Sequence, residues 1–306
     1  MSTYLLIDGN ALIHRAFHAI PEFKTSNGIP TNAVFGFASM IHKAIYDLRP
    51  THVIVCFDSK GPTFRDKLFS EYRTQRPEIK QELKDQFPLI KEFMLASGIK
   101  YIEKTGLEAD DLIGILATRI ENRDQKCLIL SGDKDLMQLV SNKTNMMTPQ
   151  IGFNKSKLYD ASEVRKKMGV KPEQIPLLKA LAGDQADNYK GVTGIGPKTA
   201  VNLILEFDTL ENIYKQINKI KSQKIKQALI DCKDNAFLSE RLATIITSNG
   251  IKFNLDTAKF AGYNEKLKDF FKNLEIRSLE TRFFPKLPEP KKEKKESEKP
   301  NQINLF

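Results

Sequence analysis

The chain has 306 residues, 48 of them Lys or Arg and 38 Asp or Glu, for a formal net charge of +10, and 41% are hydrophobic. That balance supports a large core in one big domain or two modest ones, and it excludes a mostly disordered or fibrous protein. No run is long enough to span a membrane, and the opening Tyr4-Leu5-Leu6-Ile7, broken at once by Asp8, fits neither a secretory signal nor a transit peptide. Cys56, Cys127 and Cys232 share no metal spacing and cannot all pair, so a reducing, cytoplasmic compartment is expected. His14, His18, His42 and His52 form no finger or HExxH pattern. The segment from Lys286 to Phe306 holds six Lys and four Glu, so +8 of the charge lies in the body and suits a polyanionic partner.

In chain order, Thr3–Ile7 is the first short apolar run bounded by polar residues, followed by a helical stretch at Ala33–Leu48 and a second run at Val53–Phe57. Helices are predicted over Phe87–Ser97, closed by Gly98, and over Glu108–Asn122, whose acidic start complements a helix N-terminus; Cys127–Leu130 is the third strand. This rhythm predicts an α/β fold for residues 1–161, a parallel sheet with helices on both faces. From Ser162 helical segments dominate: Ser162–Met168, Pro172–Ala182, Lys198–Leu205, Leu210–Gln216 and Asn235–Thr247. They predict a helical subdomain over residues 162–285, with Phe270–Phe284 returning to pack on the sheet. Residues 286–301 hold three Pro, six Lys, four Glu and no aromatic, so 286–306 reads as a charged, solvated tail.

The strands end in acids. Ile7-Asp8, Phe57-Asp58 and Leu130-Ser131-Gly132-Asp133 each carry an aspartate to the edge where a parallel sheet's C-terminal strand ends gather. Asp135 follows two residues on, Glu108, Asp110 and Asp111 open a helix, and Asp184 and Asp187 stand at i and i+3 before a glycine-rich turn. Any one of them is also accounted for as a helix cap or a dipole complement. As a set they are not, because two carboxylates ~4 Å apart repel by roughly 4 kcal/mol at an effective dielectric of 20. Such a cluster needs cations or protons, and an all-oxygen donor set points to Mg²⁺ or Mn²⁺, with enough acids for two ions. With these nine acids set aside, 25 acidic residues face 42 basic ones in the body, a positive surface around a negative pit.

Gly191-Val192-Thr193-Gly194-Ile195-Gly196-Pro197-Lys198-Thr199-Ala200 reads as a helix-hairpin-helix turn. No strand precedes it, and Pro197 suits a first helical position whose free N–H groups can meet a phosphate. A plain interhelical turn is the alternative. Arg65, Phe69, Tyr72 and Arg76 stand at i, i+4, i+7 and i+11, one predicted helical face of guanidinium and aromatic groups. Such a face either grips a single strand or packs its rings inward while the arginines reach solvent.

Together these motifs resemble the 5′ nuclease (flap endonuclease) family, and most closely the N-terminal 5′→3′ exonuclease domains of bacterial DNA polymerase I and their stand-alone relatives. The marks run from Tyr4 to Phe284: Leu-Ile-Asp8-Gly-Asn, Cys-Phe-Asp58-Ser-Lys, Phe64-Arg65, Glu71-Tyr72-Arg73 with Arg76, Glu108-Ala-Asp110-Asp111, Gly132-Asp133-Lys-Asp135-Leu, Gly183-Asp184-x-x-Asp187-Asn and Gly194-Ile-Gly196-x-Lys198-Thr-Ala. The resemblance implies a PIN-like, resolvase-like nuclease core, a helical arch over residues 60–85 and a helix-hairpin-helix (H3TH) subdomain. It implies 5′→3′ exonuclease and 5′-flap endonuclease action in primer removal and DNA repair, on DNA with flaps, nicks or 5′ ends, RNA primers being a further candidate. One metal would lie near Asp8, Asp58, Glu108, Asp110 and Asp111, the other near Asp133, Asp135, Asp184 and Asp187. Asp8, Asp58, Arg65 and Arg76 would serve the chemistry. Tyr72, Arg73, Gly194, Gly196, Lys198 and Thr199 would hold DNA, with K⁺ a further candidate at the hairpin.

Two departures lie at the hairpin: Tyr189-Lys190 where relatives often carry an apolar residue and proline, and Pro197 where an acidic residue is common. The protein is expected to be a monomer associated with the nucleoid, either a stand-alone nuclease or a fragment. The closing Gln302-Ile303-Asn304-Leu305-Phe306 resembles the peptide by which bacterial replication proteins dock on the sliding clamp, with Gln302, Leu305 and Phe306 as the contacts. A non-catalytic binder of branched DNA and a PIN-type ribonuclease are the competing readings. Nine acids that repel DNA argue against the first, and the hairpin against the second.

Overall fold

The structure, a computed structural model, describes residues 1–149, 156–248 and 250–285. The predicted tail and its clamp-like peptide lie outside the described residues. The first half runs β1 (Thr3–Asp8), α1 (Gly9–Ala19), α2 (Asn32–Leu48), β2 (His52–Cys56), α3 (Phe64–Leu68), α4 (Gln81–Lys84), α5 (Gln86–Ser97), β3 (Lys100–Ile102), α6 (Ala109–Glu121), β4 (Lys126–Leu130), β5 (Thr144–Thr148) and β6 (Lys157–Tyr159). The strands form one sheet in the order β3-β2-β1-β4-β5-β6, parallel except for β6.

Every residue of β2 is buried, as a strand covered on both faces requires. The pleat divides β1 cleanly. Leu5 and Ile7 join Val53 and Val55 in a core with α1, α2 and α5, whereas Tyr4 and Leu6 join Ile54 and Cys56 in a core with α6 and the helical half. From β1 the chain winds outward to β2 and β3 and then returns past β1 to β4, so the crevice between β1 and β4 is the topological switch point.

The second half is helical: α7 (Ala161–Met168), α8 (Ile175–Ala182, entered by a 3-10 turn at Pro172–Gln174), α9 (Pro197–Phe207), α10 (Leu210–Lys215), α11 (Gln223–Asp231), α12 (Lys233–Ala243), α13 (Lys266–Asn273) and α14 (Arg277–Phe283). α13 and α14 hold the expected Phe270–Phe284 segment. They pack with α5 and α2 in the same core as Leu5 and Ile7, on the face opposite α6. By packing they belong with the sheet rather than with the helices that precede them.

Three differences from the sequence reading have local causes. β3, β5 and β6 were not expected: β3 and β6 are three residues each, and β5, Thr-Asn-Met-Met-Thr, lacks the β-branched run that marks a strand. α12 stops at Ala243, short of the predicted Thr247, because residues 242–246 give their backbone to other elements, as described below. Most consequentially, no continuous helix spans Arg65–Arg76. α3 ends at Leu68, Phe69 is extended, a turn follows and Arg73 is left-handed at φ 56°. Arg65, Phe69, Tyr72 and Arg76 therefore share no helical face; Phe69 and Tyr72 instead pack inward on Tyr189, Leu242 and Ala243.

Candidate active site

The acids at the sheet edge are set by backbone geometry. Asp8 ends β1 and caps α1: one carboxylate oxygen accepts the Ala11 N–H at 2.9 Å and the other accepts the Ser131 hydroxyl at 2.7 Å. The helix can start there because residue 9 is glycine; a Cβ on Gly9 would sit 2.4 Å from the Phe57 ring. Asp58, at the end of the neighbouring strand, accepts the Ala109 N–H at 2.8 Å and so anchors the start of α6, while its own N–H donates to Asn10. Asp133 is placed by Ser131 Oγ, which accepts its N–H at 3.0 Å, and itself accepts the Asp135 N–H at 2.9 Å.

Burial pushes the Asp8 carboxyl up to about 7 from its ordinary 3.8, with Asp58 and Asp133 adding repulsion. Asp110 is held well above the ordinary carboxylate range, first by burial and then by Asp133, Asp8 and Asp58. Among the described residues no salt bridge reaches Asp8, Asp58, Asp110 or Asp133.

Glu108 and Asp111, expected beside the first metal, are already engaged. Arg65, only 2% exposed, grips Asp111 with both terminal nitrogens at 2.8 and 3.0 Å and donates from Nε to the Leu242 carbonyl at 2.8 Å and from a terminal nitrogen to the Thr244 carbonyl at 3.0 Å. The Ile246 and Glu108 N–H groups also donate to Asp111, which leaves it no free oxygen. Glu108 pairs with Arg73 at 3.1 Å and Arg65 at 3.3 Å and accepts the Thr63 and Tyr72 hydroxyls. Arg65, expected to act on the cleaved strand, is thus a buried tie between α3, α6 and the end of α12. Tyr72, expected against DNA, is buried with its hydroxyl shared by Glu108 and Asp187. Arg73 and Arg76 both pair with Asp187, Arg76 remaining half-exposed.

Asp135, Asp184 and Asp187 are brought together, with one oxygen of each within 4.8 Å of the others; among the described residues this is the one such group of three or more potential ligands. The sheet-edge acids Asp8, Asp58, Asp110 and Asp133 neighbour one another electrically but are not drawn as close. The cluster rests on a tight turn. Asp184 and Tyr189 exchange backbone hydrogen bonds at 2.9 and 3.1 Å, and Gly191 lies against Gly183 so closely that a Cβ would meet the Gly183 nitrogen at 2.3 Å. Two residues that the sequence reading did not select complete it. Lys179, in the last turn of α8, reaches both Asp135 and Asp184. Tyr189 is 4% exposed, and its hydroxyl has no hydrogen-bond partner among the described residues. Lys179 carried a positional signal, five residues before Asp184 on a helix aimed at the turn; the orphaned hydroxyl carried none.

The hairpin follows. Gly194 is left-handed at φ 84°, Gly196 caps α9 with Pro197 first in the helix, and Gly194, Gly196 and Lys198 are exposed with Thr199 half-buried, at a helix start open to solvent.

The donor set fits hard divalent cations: oxygen ligands only, the carboxyls of Asp8, Asp110 and Asp135 all pushed above their ordinary range, and the orphaned buried hydroxyl of Tyr189 on the turn that carries Asp184. A pH dependence follows. Because the folded-state Asp8 pKa is raised, its contribution to stability is fully present below the unfolded value near 3.8 and is lost as pH rises through about 7. In chelator, wild type should lose stability relative to Asp8→Asn between about pH 4 and 7. Added Mg²⁺ should cancel that loss. Parallel pH trends in denaturation midpoint for the two proteins would remove Asp8 as the responsible group.

Two family profiles cover most of the chain: "5′-3′ exonuclease, N-terminal resolvase-like domain" matches residues 3–169 and "5′-3′ exonuclease, C-terminal SAM fold" matches residues 170–266. The chain belongs to the 5′-3′ exonuclease family. The 5′-3′ exonuclease of Aquifex aeolicus is 36% identical over 280 residues, covering 91% of this chain and 94% of that protein. DNA polymerase I of Bacillus subtilis is 39% identical over 276 residues, 90% of this chain but 31% of the polymerase. The chain thus spans about a third of the length of its polymerase relatives. Among solved structures, T5 5′-exonuclease with bound zinc superposes with TM-score 0.67 at 24% identity, covering 90% of this chain and 98% of that one. The catalytic core of Rad2 in complex with DNA gives 0.58 at 18% identity, covering 89% and 87%. These likenesses establish the fold: a resolvase-like α/β domain with a SAM-like helical domain.

Proposed function

We propose that this chain removes nucleotides from DNA 5′ ends and cuts 5′ flaps by hydrolysing phosphodiesters with two Mg²⁺ or Mn²⁺ ions, and that in the cell it clears primers and repair intermediates. The observation that carries the reading is the row of carboxylates from Asp8 through Asp133 to the Asp135–Asp184–Asp187 triplet, set in a chain whose other charge is strongly positive. Asp8, Asp58, Asp110 and Asp133 would hold one ion and Asp135, Asp184 and Asp187 the other; Asp133, expected with the second ion, is assigned to the first because its charge bears on Asp8 and Asp110 and it lies outside the triplet. Bound there, such ions supply a water nucleophile at neutral pH and compensate charge on the phosphate. Asp111 is assigned to positioning, through Arg65, and Glu108 to orienting Arg73 and Tyr72. Arg76, half-exposed above Asp187, is the arginine best placed to leave its partner for a substrate phosphate.

The start of α9, with Gly194, Gly196, Lys198 and Thr199, is the proposed duplex contact, and K⁺ is the ion we place at that hairpin. A Lys198→Ala protein should bind duplex more weakly, with its salt slope reduced by about one counterion. An unchanged slope removes the hairpin from the interface. The Gln302–Phe306 peptide is proposed to dock on a sliding clamp, a contact that deletion of those five residues should abolish. The function itself is tested by cleavage of 5′-flap, nicked, gapped and RNA-primed duplexes with and without Mg²⁺. Metal-independent cleavage, or binding without cleavage, overturns it.

A further inference from the structure

The two halves of the carboxylate row are neutralised in different ways. At the sheet edge, Asp8, Asp58, Asp110 and Asp133 have no salt-bridge partner among the described residues. In the triplet every acid already has a cation from the chain itself: Lys179 bridges Asp135 and Asp184, and Arg73 and Arg76 hold Asp187. Lys179 sits where an ion bridging Asp135 and Asp184 would sit, since one ammonium contacts both carboxylates. Its side chain is only 18% exposed. Tyr189, paired with Asp184 through the backbone, is buried with a hydroxyl that has no hydrogen-bond partner among the described residues, and such a group is ordinarily satisfied by an occupant or ordered water.

We infer that Lys179 is a resident counter-ion of the Asp135–Asp184–Asp187 triplet, and that a divalent cation enters there only by displacing its ammonium. This rests on the metal reading above. It makes the two halves unequal before DNA arrives. The sheet-edge half takes its ion readily, whereas the triplet takes one weakly, because an incoming dication must break two buried ion pairs and meet a positive charge.

The test is a Mn²⁺ titration of the full chain without DNA, followed by the electron paramagnetic resonance signal of free Mn²⁺. Wild type should show one tighter and one weaker site. Lys179→Met should tighten the weaker site about tenfold and leave the tighter one alone. Asp184→Asn should abolish the weaker site. An unchanged or weakened second site in Lys179→Met overturns the inference while leaving the metal reading intact. Absence of any Mn²⁺ binding in either protein overturns both. A measurement on wild type avoids dependence on the variant's folding: acetylation of Lys179, read by mass spectrometry, should rise severalfold at Mn²⁺ concentrations that fill both sites. Labelling that stays constant or falls overturns displacement.

Discussion

Asp110→Ala is expected to lower cleavage by about 10³-fold or more while leaving DNA affinity unchanged or tighter. The aspartate sits in the first turn of α6, where burial and the charges of Asp133, Asp8 and Asp58 all oppose its ionisation. A carboxylate kept in such surroundings is costly to the fold, so its removal should not destabilise the metal-free protein. On the two-ion proposal it removes a ligand at the point where phosphate charge must be compensated, and with it a negative charge that repels DNA. A variant that keeps near wild-type turnover in Mg²⁺ sinks the two-ion proposal. A variant that loses turnover only because it unfolds is recognised by its denaturation midpoint.

Arg65→Met should behave in the opposite way, lowering stability by about 3–5 kcal/mol. Asp111 is fully buried and both its oxygens lean on the guanidinium, so truncation strands a charge with no solvent to receive it. The carbonyls of Leu242 and Thr244 lose their donor at the same time. Adding Asp111→Leu to Arg65→Met should recover part of the loss, because replacing both partners removes the buried charge. Guanidinium unfolding of the two single variants and the double variant gives the coupling directly. Should Arg65→Met keep wild-type stability and lose only turnover, the residue acts on the substrate strand after all.

The fold was largely legible in the chain because its core strands are apolar runs ending in aspartate and its helices carry ordinary start and stop signals. Gly98 ends α5 where expected, and Glu108 with Asp111 forms the capping box that begins α6. What was hidden depends on partners remote in sequence. The Thr144–Thr148 strand exists because β4 and β6 flank it, not because Met146 and Met147 favour extension. Helical spacing from Arg65 to Arg76 was a real pattern, but the burial of Tyr72 against Tyr189 and of Arg65 against Asp111 outweighed it. The acids could be counted from the sequence; which of them the chain's own arginines and lysine already hold could not, since Arg65, Arg73, Arg76 and Lys179 lie 35 to 114 residues from their partners, apart from the five-residue step to Asp184.

The same long ties fix when, during synthesis, the carboxylate row gains its support. Arg65 finds its carbonyl acceptors at Leu242 and Thr244, and Asp111 takes an N–H from Ile246, so the strut beneath the carboxylate row closes only after the chain has been made past that point. A ribosome-bound product ending before residue 240 carries all nine acids and the hairpin, yet lacks the backbone that holds Arg65 and Asp111 in place. Synthesis from the N-terminus therefore delivers the ligands first and their support last. On the proposed function, the nascent chain should gain activity only once its helical half has folded onto the sheet.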